Sequence, residues 1–242
     1  MKRLRLLPII LLAPAFLHAQ GDPLAWLNSM RHRGGAAAVE GDAVLSETAA
    51  LWAARLSAAG ILSHRGDDGS TGLDRYRAQG GTEVRVGEIL GAGPALVDIE
   101  RGWMASEEHR QLVMSPGWTH AGWGSALSGA SQVTVMMFTE KRVEGLRIAQ
   151  DRKGLTVRGR FVPRIAARAV LYNGLNLVPP SEWDPSSRRF RFEVGGSELA
   201  GYLRLGYVSE GDRFTLTNAF TWPPGTGSPE AGNRSGPPAP SP

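Results

Sequence analysis

The sequence predicts a chain in two unlike parts: mixed helix and strand over residues 20–141, then a small all-β, sandwich-like part over 143–222. Three observations carry this reading. Helical apolar spacing, punctuated by capping residues and glycines, recurs from Asp22 to Met114. Strand-like runs, "HAGWGSAL" and "SQVTVMMFTEK", close the first part. Beyond residue 143 helical periodicity stops, and short β-rich runs separated by Gly, Pro, Asp or Ser take over.

The elements follow in order. "MKRLR" is cationic, the twelve residues Leu6 to Leu17 are apolar, and Ala19 is a small residue suited to cleavage. This predicts a secretory signal over 1–19. Twelve residues holding Pro8 and Pro14 fall short of the roughly 20 that a membrane helix needs. Asp22-Pro23 is a helix start, with Leu24, Leu27 and Met30 at a spacing of three and Gly34-Gly35 as the stop. Ser46 is the expected cap of a second helix, "ETAALWAARLSAA", closed by Gly60. A short helix is expected around 71–79. A further one, "PALVDIERGWMAS", is expected to open at Pro94, followed by a turn or short helix at "EEHRQLVM". In the second part the strand candidates are "GLTVRGRF", "ARAVLYNGLNLV", "RRFRFEV", "YLRLGYV" and "RFTLTNAF". Arg188, Arg189, Arg191 and Arg204 read as charged outward positions on those strands. The last stretch, 223–242, has almost no apolar side chains beyond proline and alanine and is expected to be disordered.

Charge and cysteine content narrow the function classes. The formal charge of +4 falls to +1 once Lys2, Arg3 and Arg5 leave with the signal, so a pI near 9.8 says little about partners. No clustered run of basic residues points to nucleic acid. No second apolar run predicts a transmembrane segment after cleavage. The chain has no cysteine. A disulfide framework, a cysteine nucleophile and a thiolate zinc site are therefore excluded.

The candidate chemistry centres on His64, in "ILSHRGDDG", and Glu88, in "VGEILGAG", with His32, His109 and His120 as further imidazoles. Asp67 and Asp68 beside Gly69 lack the alternating ligands and closing glutamate of an EF-hand and read as turn chemistry. Ser106 has His109 three residues on, but no "G-x-S-x-G" elbow supports a serine nucleophile. Trp52 and Trp103 sit on helical patterns and read as core. Trp118 reads as core or as the rim of a cleft.

The ordered set "LN..R", "SH", "GE", "W..S..HR" and "GWG" resembles the CAP superfamily (cysteine-rich secretory, antigen 5 and pathogenesis-related proteins; SCP-like extracellular domain), in its bacterial-type branch. The resemblance covers roughly residues 22–141. It implies an α-β-α sandwich with a cleft, and a tetrad of two histidines and two glutamates able to bind a divalent cation such as zinc. Carried over residue by residue, His64 matches the first histidine and Glu88 the first glutamate. Ser106 stands at the second glutamate and Gln132 at the last histidine. Half a tetrad implies a secreted or periplasmic, non-enzymatic binding module for a lipid, a cell-wall polymer or a protein. The alternative is a metal-assisted hydrolase or peptidase using His64 and Glu88 with a third ligand such as His109.

Overall fold

The computed structural model describes residues 22–209 and 211–222. The expected signal at 1–19 and the tail at 223–242 lie outside the described residues. Among the described residues, no helix is long and apolar enough to cross a membrane.

The first part is built from α1 (Pro23–Arg33), β1 (Glu40–Gly41), α2 (Ala43–Ala59), α3 (Gly72–Ala78), β2 (Val86–Gly93), α4 (Leu96–Ala105), α5 (Glu107–Met114), β3 (His120–Ser128) and β4 (Ser131–Thr139). Local chemistry explains most boundaries. Asp22 caps α1 through Leu24 N, with Pro23 in the first turn. Gly60 ends α2 in the left-handed conformation, at φ 66°. Thr71 and Asp74 form a reciprocal capping box on α3. Two expectations are corrected. The cap of α2 is Asp42, whose carboxylate accepts from Leu45 N at 2.7 Å; Ser46 lies inside the helix. Asp42 captures the amide first and lets the apolar Val44 and Leu45 join the helix. α4 opens at Leu96, two residues after Pro94, without a side-chain cap.

The four strands lie in the order β1-β3-β4-β2. β1 runs parallel to β3 and the other pairings are antiparallel. Helices cover both faces, so β4 is buried along nearly all its length. Leu27, Ile99, Trp103 and Val113 of α1, α4 and α5 pack with Ile89, Met136 and Phe138 on one face. Leu45, Trp52, Leu56 and Tyr76 of α2 and α3 pack with Leu90, Val135 and Met137 on the other. Each such buried side chain contributes about 1.5–3 kcal/mol. This is the three-layer sandwich that the resemblance implies.

"GWG" has a steric cause. A Cβ on Gly122 would stand 2.3 Å from Ser46 N, and one on Gly124 2.3 Å from Ala50 Cα. Helix α2 therefore lies directly on the backbone of β3, where only glycine fits. Trp118 is core, 6 % exposed, stacked on Phe138 with its indole donating to Leu112 O at 2.7 Å.

Among the described residues the second part holds eight strands: β5 (Val143–Gln150), β6 (Gly154–Phe161), β7 (Arg168–Asn173), β8 (Asn176–Val178), β9 (Glu182–Asp184), β10 (Arg189–Gly195), β11 (Tyr202–Val208) and β12 (Phe214–Thr221). They form two sheets, β5-β6-β10-β9 and β12-β11-β7-β8. One core joins them: Val157, Phe161, Phe190 and Phe192 from the first sheet meet Leu171, Leu203, Leu205 and Tyr207 from the second. β5 and β9 were not expected. β5 carries a bulge that breaks its alternation, and β9 is three residues long.

The two parts are joined by backbone pairing. Residues 82–84 lie along the open edge of β12, with Ala219 N donating to Thr82 O at 2.7 Å and Val84 N to Thr217 O at 3.2 Å. Glu83 sits at this seam, 7 % exposed, and accepts from the Tyr76 hydroxyl at 2.5 Å. Burial, reinforced by the Glu83 charge, raises the Tyr76 phenol far above its ordinary range.

Candidate functional site

Glu88 is a carboxylate in an otherwise apolar edge strand, and the fold supplies it with two partners. Its position on β2 alternates with Ile89, so it faces the α2–α3 layer together with Val86 and Leu90. His64 Nδ1 lies 2.8 Å from Glu88 Oε1. Arg75 Nη2 of α3 donates to Glu88 Oε2 at 2.7 Å. The carboxylate has no proton to offer, so Nδ1 is the donor, and Nε2 of the largely exposed His64 is left without a partner among the described residues. The Glu88 side chain is 7 % exposed, that of Arg75 13 % and that of His64 58 %.

Each partner is seated by its neighbours. The guanidinium carbon of Arg75 stands 3.7 Å from the centre of the Trp52 ring on α2, within cation–π range. Arg75 also donates to Ser70 O at 3.0 Å and to His64 O at 3.3 Å. Trp52 donates from its indole to Ser63 O at 3.2 Å, which ties the histidine loop to α2. At the start of α3 a Cβ on Gly72 would come within 3.3 Å of Glu88 Oε2, so glycine lets the helix close over the carboxylate. Ile61 and Leu62 are 52 % and 49 % exposed and directly precede this loop, giving it an apolar border.

The remaining sequence candidates lie elsewhere. Ser106 joins α4 to α5, its carbonyl accepting from Arg110 N. It and His109 belong to the helical layer on the opposite face of the sheet from Glu88. Gln132 pairs with Gly93, whereas Glu88 pairs with Met137 five residues further along β4. That is a separation of roughly 17 Å, and the odd spacing turns Gln132 to the other face. Gln132 is buried, and its Nε2 has no partner among the described residues. Asp67 pairs with Arg55 at 3.1 Å and Asp68 accepts from Ser70 N, so "RGDDG" is a turn. His120 lies at the start of β3, hydrogen-bonded to Thr119 Oγ1 at 2.9 Å and 3.6 Å from Glu40.

The donor set does not fit a zinc centre. Among the described residues, no group of three or more His, Asp or Glu side chains converges. His64 and Glu88 spend their facing atoms on each other. The second Glu88 oxygen is held by a guanidinium that cannot be deprotonated in a protein. Arg75 thus stands where a bound cation would neutralise the carboxylate. Sequence reasoning missed Arg75. Its signal was indirect: a lone glutamate in an apolar strand requires a cation or donors nearby.

Residues 24–138 match the sequence profile of CAP, the cysteine-rich secretory protein family. Solved structures also match. An outer surface protein of Borrelia burgdorferi shares 19 % identity, with TM-score 0.45, over 49 % of this chain and 89 % of that one. An extracellular protein containing a SCP domain from Bacillus anthracis shares 22 % identity, with TM-score 0.43, over 48 % of this chain and 38 % of that one. A cysteine-rich secretory protein of Staphylococcus aureus shares 17 % identity, with TM-score 0.39, over 49 % of this chain and 36 % of that one. No curated protein matches the chain.

Proposed function

Residues 24–138 belong to the CAP family, and on that premise we propose that the chain is an exported, non-enzymatic binding module acting at the cell envelope or outside it. The carrying observation is the closed state of Glu88: both oxygens are taken, one by His64 and one by Arg75. A catalytic zinc takes about three protein ligands and an open position for water. Here two candidate ligands remain, and the position a metal would share with Glu88 is filled by a permanent cation. The triad instead holds the loop of residues 61–70 against α2 and α3, with the largely exposed His64 and the apolar Ile61 and Leu62 at its outer side. That combination of one polar donor or acceptor on an apolar border suits recognition of a lipid, a cell-wall polymer or a protein.

The unpartnered Nε2 is the one observation that favours a hydrolase, with His64 as base. Calorimetry with zinc on the parent, His64→Ala and Glu88→Ala separates the two readings. The binding reading expects no zinc binding at micromolar concentrations in any of the three. Micromolar binding in the parent, lost in both variants, would overturn it and restore the metal-assisted hydrolase. Co-sedimentation with vesicles or cell-wall polymer in EDTA supplies the positive arm: the binding reading expects retention without metal.

A further inference from the structure

The outer face of the β5-β6-β10-β9 sheet carries a second candidate site, remote in sequence from the His64 loop. Arg147 lies directly opposite Arg158, and Arg158 directly opposite Arg191. Three arginines therefore form one row across three adjacent strands, each about 4.8 Å from the next. Like charges directly opposite one another are unfavourable in a sheet, and among the described residues two of the three have no compensating partner. Among the described residues, neither the Arg147 nor the Arg158 side chain makes an ion pair or hydrogen bond. Arg191 pairs with Glu193 at 2.9 Å.

A bulge creates the row. The register on β5 shifts by one residue between Glu144 and Arg147, with Gly145 in the left-handed conformation at φ 58°. Regular alternation from Glu144 would put Arg147 on the core side. The extra residue turns Arg147 outward instead, and Leu146 and Ile148 pack toward the core. Two adjoining open hollows, of about 520 and 420 Å³, share Arg147, Arg158 and Arg191 in their walls.

We propose that this row binds a single compact dianion of the phosphate-ester class. The two guanidinium charges without a counter-ion match a dianion, and the planar fork of arginine matches its oxygens. The surrounding carboxylates set the size. Glu182 and Asp184 face Arg191 and Arg189 on β9, Glu144 pairs with Arg160, and Glu193 stands next along β10. An anionic polymer running past the row would meet these acids; a single phosphate group in the hollow of about 520 Å³, whose wall carries no carboxylate, would not. The ester can be a free small molecule or a lipid headgroup.

The test titrates the full chain with inorganic phosphate at constant ionic strength, then with vesicles containing phosphatidic acid. The comparison set is Arg158→Gln, Arg158→Lys and Arg164→Gln; Arg164 is an exposed arginine outside the row that makes no ion pair. Saturable phosphate binding is expected in the parent. Arg158→Gln should weaken it at least about tenfold, the loss of one charge-assisted bond. Arg158→Lys should fall between, and Arg164→Gln should match the parent. Retention on vesicles without binding of free phosphate, again lost in Arg158→Gln, assigns the headgroup as the source. No binding of either probe overturns the proposal, and so does an equal loss in Arg164→Gln, which would mark general charge attraction.

Discussion

Replacing Arg75 by methionine keeps the aliphatic stem over Trp52 but removes the cation from Glu88. The cost can be worked from the contacts. Breaking a buried ion pair by removing one partner costs about 3–5 kcal/mol. Here Glu88 is 7 % and Arg75 13 % exposed, close to that situation, but His64 remains on the other carboxylate oxygen. The lost stacking on Trp52 adds about 1 kcal/mol. The bonds to Ser70 O and His64 O also go. A total near 3–4 kcal/mol is expected for Arg75→Met. Glu88→Gln should cost about 2 kcal/mol, since Arg75 then keeps its carbonyls and Trp52. The double variant should fall short of the sum by about 2 kcal/mol, because each single change strands the other group. Urea unfolding followed by tryptophan fluorescence reads this directly: five of the seven tryptophans lie in residues 24–138. Additive losses, or a loss under about 0.5 kcal/mol in Arg75→Met, would refute the assignment of Arg75 as the cation that holds Glu88.

Two further outcomes are expected. Gly124→Ala should destabilise the chain by about 2–3 kcal/mol, read by thermal unfolding, because the new Cβ meets the backbone of Ala50 and α2 must shift; an unchanged midpoint would mean the helix does not lie on β3 as described. Stability should also fall on mild acidification. Burial, and then the Lys141 charge, hold the His120 imidazole below its ordinary 6.5 against the opposing pull of Glu40, Asp42 and Glu83. A depressed value contributes stability that is complete above about pH 6.5 and is lost as pH falls through the folded pKa. Asp42 follows at lower pH. Its burial pushes the carboxyl up, but the hydrogen bond to Lys141, the Leu45 amide and the nearby cationic charge together hold it below 3.8. Its contribution is therefore present above 3.8 and lost on acidification below that. Unfolding free energies measured against pH should lose the first step in His120→Gln and keep the second. A first step that persists in that variant would refute the assignment.

How far the sequence reached can be judged residue by residue. Caps and stops within one turn of each other were legible: Asp22-Pro23 before the first helix and Gly60 after the long one. The cap at Asp42 was missed because Ser46 offers the same chemistry four residues on, and a hydroxyl cannot compete once the carboxylate has taken the Leu45 amide. The ordered motifs pointed to His64 and Glu88 and to the glycines beneath α2. They placed Ser106 and Gln132 beside that pair, where the fold does not. Alternation on β4 alone turns Gln132 to the opposite face. In the second part, a bulge hid β5 from the period-two pattern and with it the outward turn of Arg147.

By itself the sequence determined the class of each half, the family resemblance, the freedom from disulfides and most helix boundaries. These depend on side chains and backbone a few residues apart, whose interactions survive whatever the rest of the chain does. Only the tertiary structure decided that Glu88 carries a fixed cation. Arg75 lies 13 residues from Glu88, and its guanidinium is aimed by Trp52 on another helix. The three arginines of β5, β6 and β10 became neighbours only through strand register. Both arrangements are set by packing between elements distant along the chain, and no local pattern encodes them.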